Sequence, residues 1–244
     1  MEFAVLLVTL ICYALALVLW WYQQTPIFLF TLLSGHVAAL ASPLWMLLYG
    51  VVYQPDLSVL YEIAGLRFVT PVVLGAGWFY SLPALLILYL YRYQLDIPFS
   101  GYLTGVIIYG GMFFYHLLME MVGLRLGVWH YNVTSTLPLG FSNALLSIIM
   151  AALVSLALLY LLLQVYRFAW FSMLLTLLPA TLALSLLIHG VLGAPLWIAL
   201  FGIARLLPQQ SWAITVGLLS TLALLGWAVH IICWGLAHTD RELK

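Results

Sequence analysis

The chain has 244 residues, of which 66% are hydrophobic and 6% charged, with seven basic and seven acidic side chains and a mean hydropathy of +1.18. So apolar and uncharged a chain offers no basic surface for nucleic acid, and its repeated runs of about 20 apolar residues have the length that crosses a hydrocarbon core about 30 Å thick. Lipid offers no hydrogen bonds to bare backbone, and continuous Leu, Val, Ile and Ala runs select helices over a closed barrel. The expectation is therefore an all-α, polytopic membrane protein, multi-pass in a cell membrane, with one helical domain over residues 1–244.

The first apolar run, 4–22, has neither a basic leader nor a small-residue cleavage site, so it reads as a retained span ending in Trp20, Trp21 and Tyr22 at the headgroup layer. The next runs are 27–53, with His36 near mid-depth and Ser42-Pro43 inside it, then 70–91, and then 101–123, which carries Tyr115, His116 and Glu120. After these come 140–165 and 168–189, the latter ending in His189. Gly190, Gly193 and Pro195 precede a run at 192–208, which is bounded by Pro208 and is at the lower length limit for a span. Counted as a span it makes eight in all; as a re-entrant helix it leaves seven. The last run, 211–237, contains His230.

With eight spans, His116, Glu120, His189 and His230 all fall toward the face that carries the connection 124–139, whereas seven spans move His230 to the opposite half. The connections 54–69, 92–100 (with Arg92 and Asp96) and 124–139 are long enough to hold structure. Basic residues divide four against three between the faces of the eight-span arrangement, which sets no orientation. Cys12 and Cys233 lack metal-ligand spacing and are expected as buried small hydrophobes. The only lysine is Lys244, so no intramembrane amine is present to bind retinal as a Schiff base.

Glu120 is the one acid inside a long apolar run, and a carboxyl group at membrane depth marks a functional site by default. His116 lies four residues earlier on the same helix face, so the two are expected to pair and to hold a transferable proton. A protonated carboxyl shielded from water is a general acid, and electron-rich rings stabilise the carbocation formed when it protonates an alkene. Tyr115, Trp129 and Tyr131 are the candidate rings. Asn143 is a further candidate substrate contact, and Ser142, Asn143 and Ser147 are expected to join helices by hydrogen bonds. Asn132-Val133-Thr134 also matches the N-glycosylation acceptor pattern.

The run Glu120-x2-Gly123-x3-Gly127-x-Trp129-x-Tyr131, followed by Leu137-Pro138-Leu139, resembles the acid–glycine–glycine–aromatic signature of small membrane enzymes of carotenoid and terpenoid metabolism, among them carotenoid hydratases and membrane lycopene cyclases. The resemblance implies a lipid-soluble polyene or isoprenoid substrate, with Glu120 at the position of the family's acid and Trp129 and Tyr131 as its aromatic neighbours. Where the cyclases carry further acids after the Leu-Pro segment, this chain continues Gly140-Phe141-Ser142-Asn143. That departure weighs against cyclisation by the usual residues; the implied activity is acid-catalysed hydration, cyclisation or isomerisation.

No cofactor and no metal are expected on this reading, since no His-x-x-x-His pair or paired-carboxylate signature is present. The rival expectation is a subunit binding haem, chlorophyll or carotenoid, with His36, His189 and His230 as axial ligands. A third is a transporter or the subunit of a membrane complex, suggested by the breaks at Ser42-Pro43 and Gly193-Ala194-Pro195.

Overall fold

Where the sequence is apolar without interruption the chain is one long helix, and where proline enters a run the helix is divided. The computed structural model describes residues 2–63, 66–93, 101–132, 137–168, 174–203 and 211–239. Helices α1 (Glu2–Gln23), α6 (Tyr102–Arg125), α7 (Asn143–Phe168) and α10 (Ser211–Thr239) are continuous. The second run splits into α2 (Ile27–Ala38) and α3 (Ser42–Tyr49) across a tight turn at Ala39–Ala41, with Pro43 in the first turn of α3, where its missing N–H leaves no hydrogen bond unmade. The third splits into α4 (Thr70–Phe79) and α5 (Ser81–Tyr93). The architecture is an all-α bundle.

Helix α7 is its axis: 67% of its most apolar window is buried, against 11% for α1 at the periphery. Met150, Leu153, Leu156, Leu158, Leu159 and Leu162 run through the core, and α5, α6 and α10 pack around them.

Among the described residues, the runs expected as spans at 168–189 and 192–208 do not give two helices that are each long enough to cross a membrane. Helices α8 (Ala180–Leu192) and α9 (Ala194–Gly202) meet at a 51° bend, so the described residues hold six helices long and apolar enough to cross a membrane, or seven if the bent pair counts as one. Pro195 has no N–H to give, and Gly193 makes room for Trp197, whose indole a Cβ at that position would overlap. Trp197 Nε1 donates to the His189 carbonyl (2.7 Å), and the Leu196 amide reaches Thr221 Oγ1 of α10 (3.2 Å). The backbone groups at the break are thus satisfied inside the bundle, as apolar surroundings demand.

His230 also lies elsewhere than the eight-span count placed it. Its Nδ1 lies 3.2 Å from Tyr102 Oη at the start of α6, eighteen residues before Glu120 and therefore roughly 27 Å away along the helix. His230 does not share the depth of Glu120.

The run 27–53 is shorter as a helix than expected, because Gly50 takes a left-handed conformation (φ 67°) that ends α3. The chain leaves as β1 (Val51–Tyr53), which pairs antiparallel with β4 (Trp129–Tyr131), Val51 opposite Tyr131 and Tyr53 opposite Trp129. Strands β2 (Val59–Ile63) and β3 (Leu66–Val69) form a second small ladder with Glu62 opposite Arg67. The Ser58 amide donates to Glu2 Oε1 (2.7 Å), tying the start of α1 to this connection. Asp96, Val133, Thr134, Arg205 and the tail 240–244 lie outside the described residues.

Candidate functional site

The polar run at the end of α6 folds into one device. After Arg125 the chain turns through Gly127 in a left-handed conformation (φ 67°), and Val128 N bonds back to Gly123 O (2.9 Å), so β4 doubles back along the helix. Alternation along a strand puts Trp129 and Tyr131 on one side and His130 on the other. Gly123 is the seat for Trp129, whose ring lies where any Cβ at position 123 would be. Both aromatic side chains then reach the same carboxyl oxygen: Trp129 Nε1 donates to Glu120 Oε1 (3.0 Å) and Tyr131 Oη donates to it as well (2.7 Å). Glu120 Oε2 receives no hydrogen bond from the described residues.

Glu120 forms part of the wall of a cavity of about 160 Å³, whose other walls include Trp45, Tyr53, Trp78, Phe79, Tyr80, Trp129, Tyr131 and Ser147. It is the only acid among the lining residues, and no base lines the cavity. Val122 of α6, Leu126 just after that helix and Val5 of α1 also line it, and Val122 and Leu126 are exposed on the bundle surface. That side of the cavity wall thus reaches the bundle surface beside α1 and α6. No known protein family, curated protein or solved structure matches the chain.

Two tyrosines of the connections register the setting. Burial, and after it the neighbouring Glu120 carboxyl, pushes the phenols of Tyr53 and Tyr131 well above their ordinary range. A phenol held neutral in the fold contributes stability that is fully present below the ordinary value of about 10 and is lost as pH rises from there toward the raised value. Heat stability in detergent is thus expected to fall above about pH 10. Tyr53→Phe is expected to flatten that fall; an unchanged slope in this variant would count against a buried, neutral Tyr53.

Behind Trp45 and Tyr80, which close the inner end of the cavity, lies a second polar cluster. Tyr80 packs against the His116 ring (centroids 5.8 Å apart) and Trp45 against His189 (6.4 Å). His116 Nε2 bonds Ser155 Oγ (2.8 Å), which donates to the Tyr80 carbonyl (2.9 Å). His189 Nδ1 lies 2.6 Å from Tyr49 Oη, which is also 2.9 Å from Met150 Sδ. The expected pairing of His116 with Glu120 is therefore not made: each is bonded elsewhere, one turn apart on the same face of α6.

Among the expected substrate contacts, Trp129 and Tyr131 line the cavity and Tyr115 and Asn143 do not. Tyr115 Oη reaches the Trp78 carbonyl (3.4 Å), and Asn143 Nδ2 donates to the Tyr49 carbonyl (3.1 Å), pinning the end of α3 to the start of α7. Ser142 bonds within its own helix end, to Leu145 N (3.1 Å), rather than across helices. His36 bonds the Val73 carbonyl through Nδ1 (2.8 Å) and stacks on Tyr13, at a distance from the other histidines set by packing of α2 on α1 and α4. Cys233 is buried as expected, but Cys12 is only partly so. Among the described residues, no three His, Cys, Asp or Glu side chains converge as a metal ion would need.

Sequence reasoning missed Trp45, Tyr53, Trp78, Tyr80 and Ser147. The signal for Tyr53 was present in Gly50, a punctuating residue that separates Val51-Val52-Tyr53 from the preceding helix. The others carry no local signal, since an aromatic or serine in an apolar helix reads the same whether or not it faces a cavity.

Proposed function

We propose that this chain is a multi-pass membrane enzyme in which Glu120 protonates a carbon–carbon double bond of a carotenoid or other isoprenoid, leading to hydration or isomerisation. The observation that carries the reading is the lone carboxyl in an aromatic-walled cavity, with both of its hydrogen-bond donors on Oε1. With Oε1 accepting twice, the acid proton belongs on Oε2, the oxygen left for a substrate. Trp129, Tyr131, Tyr53 and Trp78 surround it with electron-rich rings suited to a developing cation. The resemblance of residues 120–139 to carotenoid- and terpenoid-modifying enzymes supports the same chemistry.

The cavity volume, about 160 Å³, is below the roughly 300–1,000 Å³ of sites that enclose a whole drug-sized ligand. It suits one end of a long polyene whose remainder stays in the bilayer, which agrees with a wall that reaches the bundle surface beside α1 and α6. The test is incubation of the protein, in lipid vesicles, with a panel of acyclic C20 to C40 isoprenoids, followed by mass analysis. A gain of one water, or an isomer of unchanged mass, is the expected product. Recovery of every substrate unaltered would remove the reading.

A further inference from the structure

The α4 side of the cavity wall is interrupted at one position. Pro71, Val72, Gly75, Ala76, Trp78 and Phe79 all line the cavity, with the three- and four-residue spacing of one helix face. The other glycine of the lining, Gly123, is covered by the Trp129 indole, whereas Gly75 leaves bare backbone in the wall.

Nothing in the fold demands glycine at position 75. It lies inside α4, and the described glycines with a left-handed conformation are Gly50, Gly127 and Gly140. A Cβ at Gly75 would lie 3.8 Å from Trp78 Cζ2 and 4.0 Å from Val5 Cγ1, ordinary contacts that displace nothing. Gly77, two residues on, is different, because a Cβ there would collide with the His36 ring. Glycine is among the least favourable residues inside a helix, so alanine at position 75 would suit α4 better. What the glycine provides is space, and that space lies between two residues of the cavity wall.

Those two residues are tied to each other. Trp78 Nε1 donates to Thr9 Oγ1 (3.1 Å), and Thr9 Oγ1 donates to the Val5 carbonyl one turn back in α1 (2.8 Å). The indole is thus bonded to the same turn of α1 that carries Val5, which fixes the width of the slot formed by Val5, Gly75 and Trp78. The slot also lies at the edge of the bundle, since Phe3, Leu6 and Leu7, beside Val5, are exposed.

We propose that Gly75 is where an isoprenoid chain crosses the cavity wall: its missing side chain keeps open a slot between Val5 and Trp78 that connects the bilayer with the space around Glu120. The assignment rests on the reading of the cavity as an isoprenoid site and adds the place of entry. No base lines the cavity and its one acid is Glu120, so the slot offers dispersion contacts to a hydrocarbon and no partner to a charged headgroup. A leucine at position 75 would fill the slot from the α4 side, and shortening Val5 to alanine would reopen it from the α1 side.

The probe is lycopene, a long acyclic polyene without stereocentres, which acquires circular dichroism in the visible when a chiral site holds it. Its titration into the full chain in lipid nanodiscs is read in a Glu120→Gln background, so that nothing is consumed and the outcome does not depend on what Glu120 does. The expected result is an induced band that Gly75→Ala keeps, that Gly75→Leu weakens in affinity by about tenfold or more, as added carbons do in a filled apolar pocket, and that Val5→Ala restores to the leucine variant. Gly75→Cys, alkylated after purification, fills the slot in a protein that has already folded; it should lose the band on alkylation, while the parent treated alike keeps it. Unchanged affinity in Gly75→Leu or in alkylated Gly75→Cys would overturn the entry role and leave the reading of the cavity standing. A loss in Gly75→Leu that Val5→Ala does not restore overturns it as well, since the leucine then acts elsewhere than in the slot. Absence of the band in every variant and in the wild-type protein removes the polyene reading itself, and the entry role with it.

Discussion

Glu120→Gln is expected to fold, insert and unfold on heating as the wild-type protein does, while turnover of an isoprenoid substrate falls by about 10²–10⁴-fold, the range that a positioned general acid supplies. The amide keeps an oxygen to accept from Trp129 and Tyr131, so the local scaffold survives; it has no proton of carboxyl acidity to deliver. Yield and thermal unfolding in mild detergent, measured beside product formation, separate the two roles. A variant with wild-type turnover excludes Glu120 as the acid, and one that no longer assembles shows that the carboxyl is a structural anchor for β4.

A second large effect is expected at a residue with no chemistry of its own. Gly123→Ala places a methyl group inside the Trp129 indole, and the indole is held by its bond to Glu120 and by the pairing of β4 with β1. Either the ring leaves its seat or β4 lifts from α6, at a cost of about 1–3 kcal/mol for an overpacked site. Turnover is expected to fall with it, because Oε1 loses a donor and the cavity loses a wall. In a Trp129→Phe background the same change should cost much less, since the smaller ring has already vacated the space; such non-additivity is the signature of direct contact. Additive effects in the double-mutant cycle would show that the two residues do not touch.

Much of this site was legible in residues 120–131 because its parts are local. An acid on the last turns of a helix, a glycine one turn later, a glycine where the chain must reverse and two aromatics on alternate strand positions are related by fixed short-range geometry. The pairing of His116 with Glu120 was expected from the same rule and is not made, because helix spacing brings side chains near each other without deciding which partner each prefers. Ser155 on α7 competes for His116, and the returning strand competes for Glu120.

What the sequence determined by itself is the class and the existence of most helices. Apolar length against membrane thickness needs no tertiary contact to evaluate, and a lone carboxyl in such a run stands out for the same reason. The tertiary structure decided that α8 and α9 form one bent pair, that His230 lies at the far end of α6 from Glu120, and that Trp45, Tyr53 and Tyr80 wall the cavity. These depend on contacts such as that between Tyr49 and His189, 140 residues apart, and on the pairing of β1 with β4. Local hydrophobicity is identical for a helix that packs on a neighbour and one that faces lipid, so the partners of each face are settled only when the bundle closes.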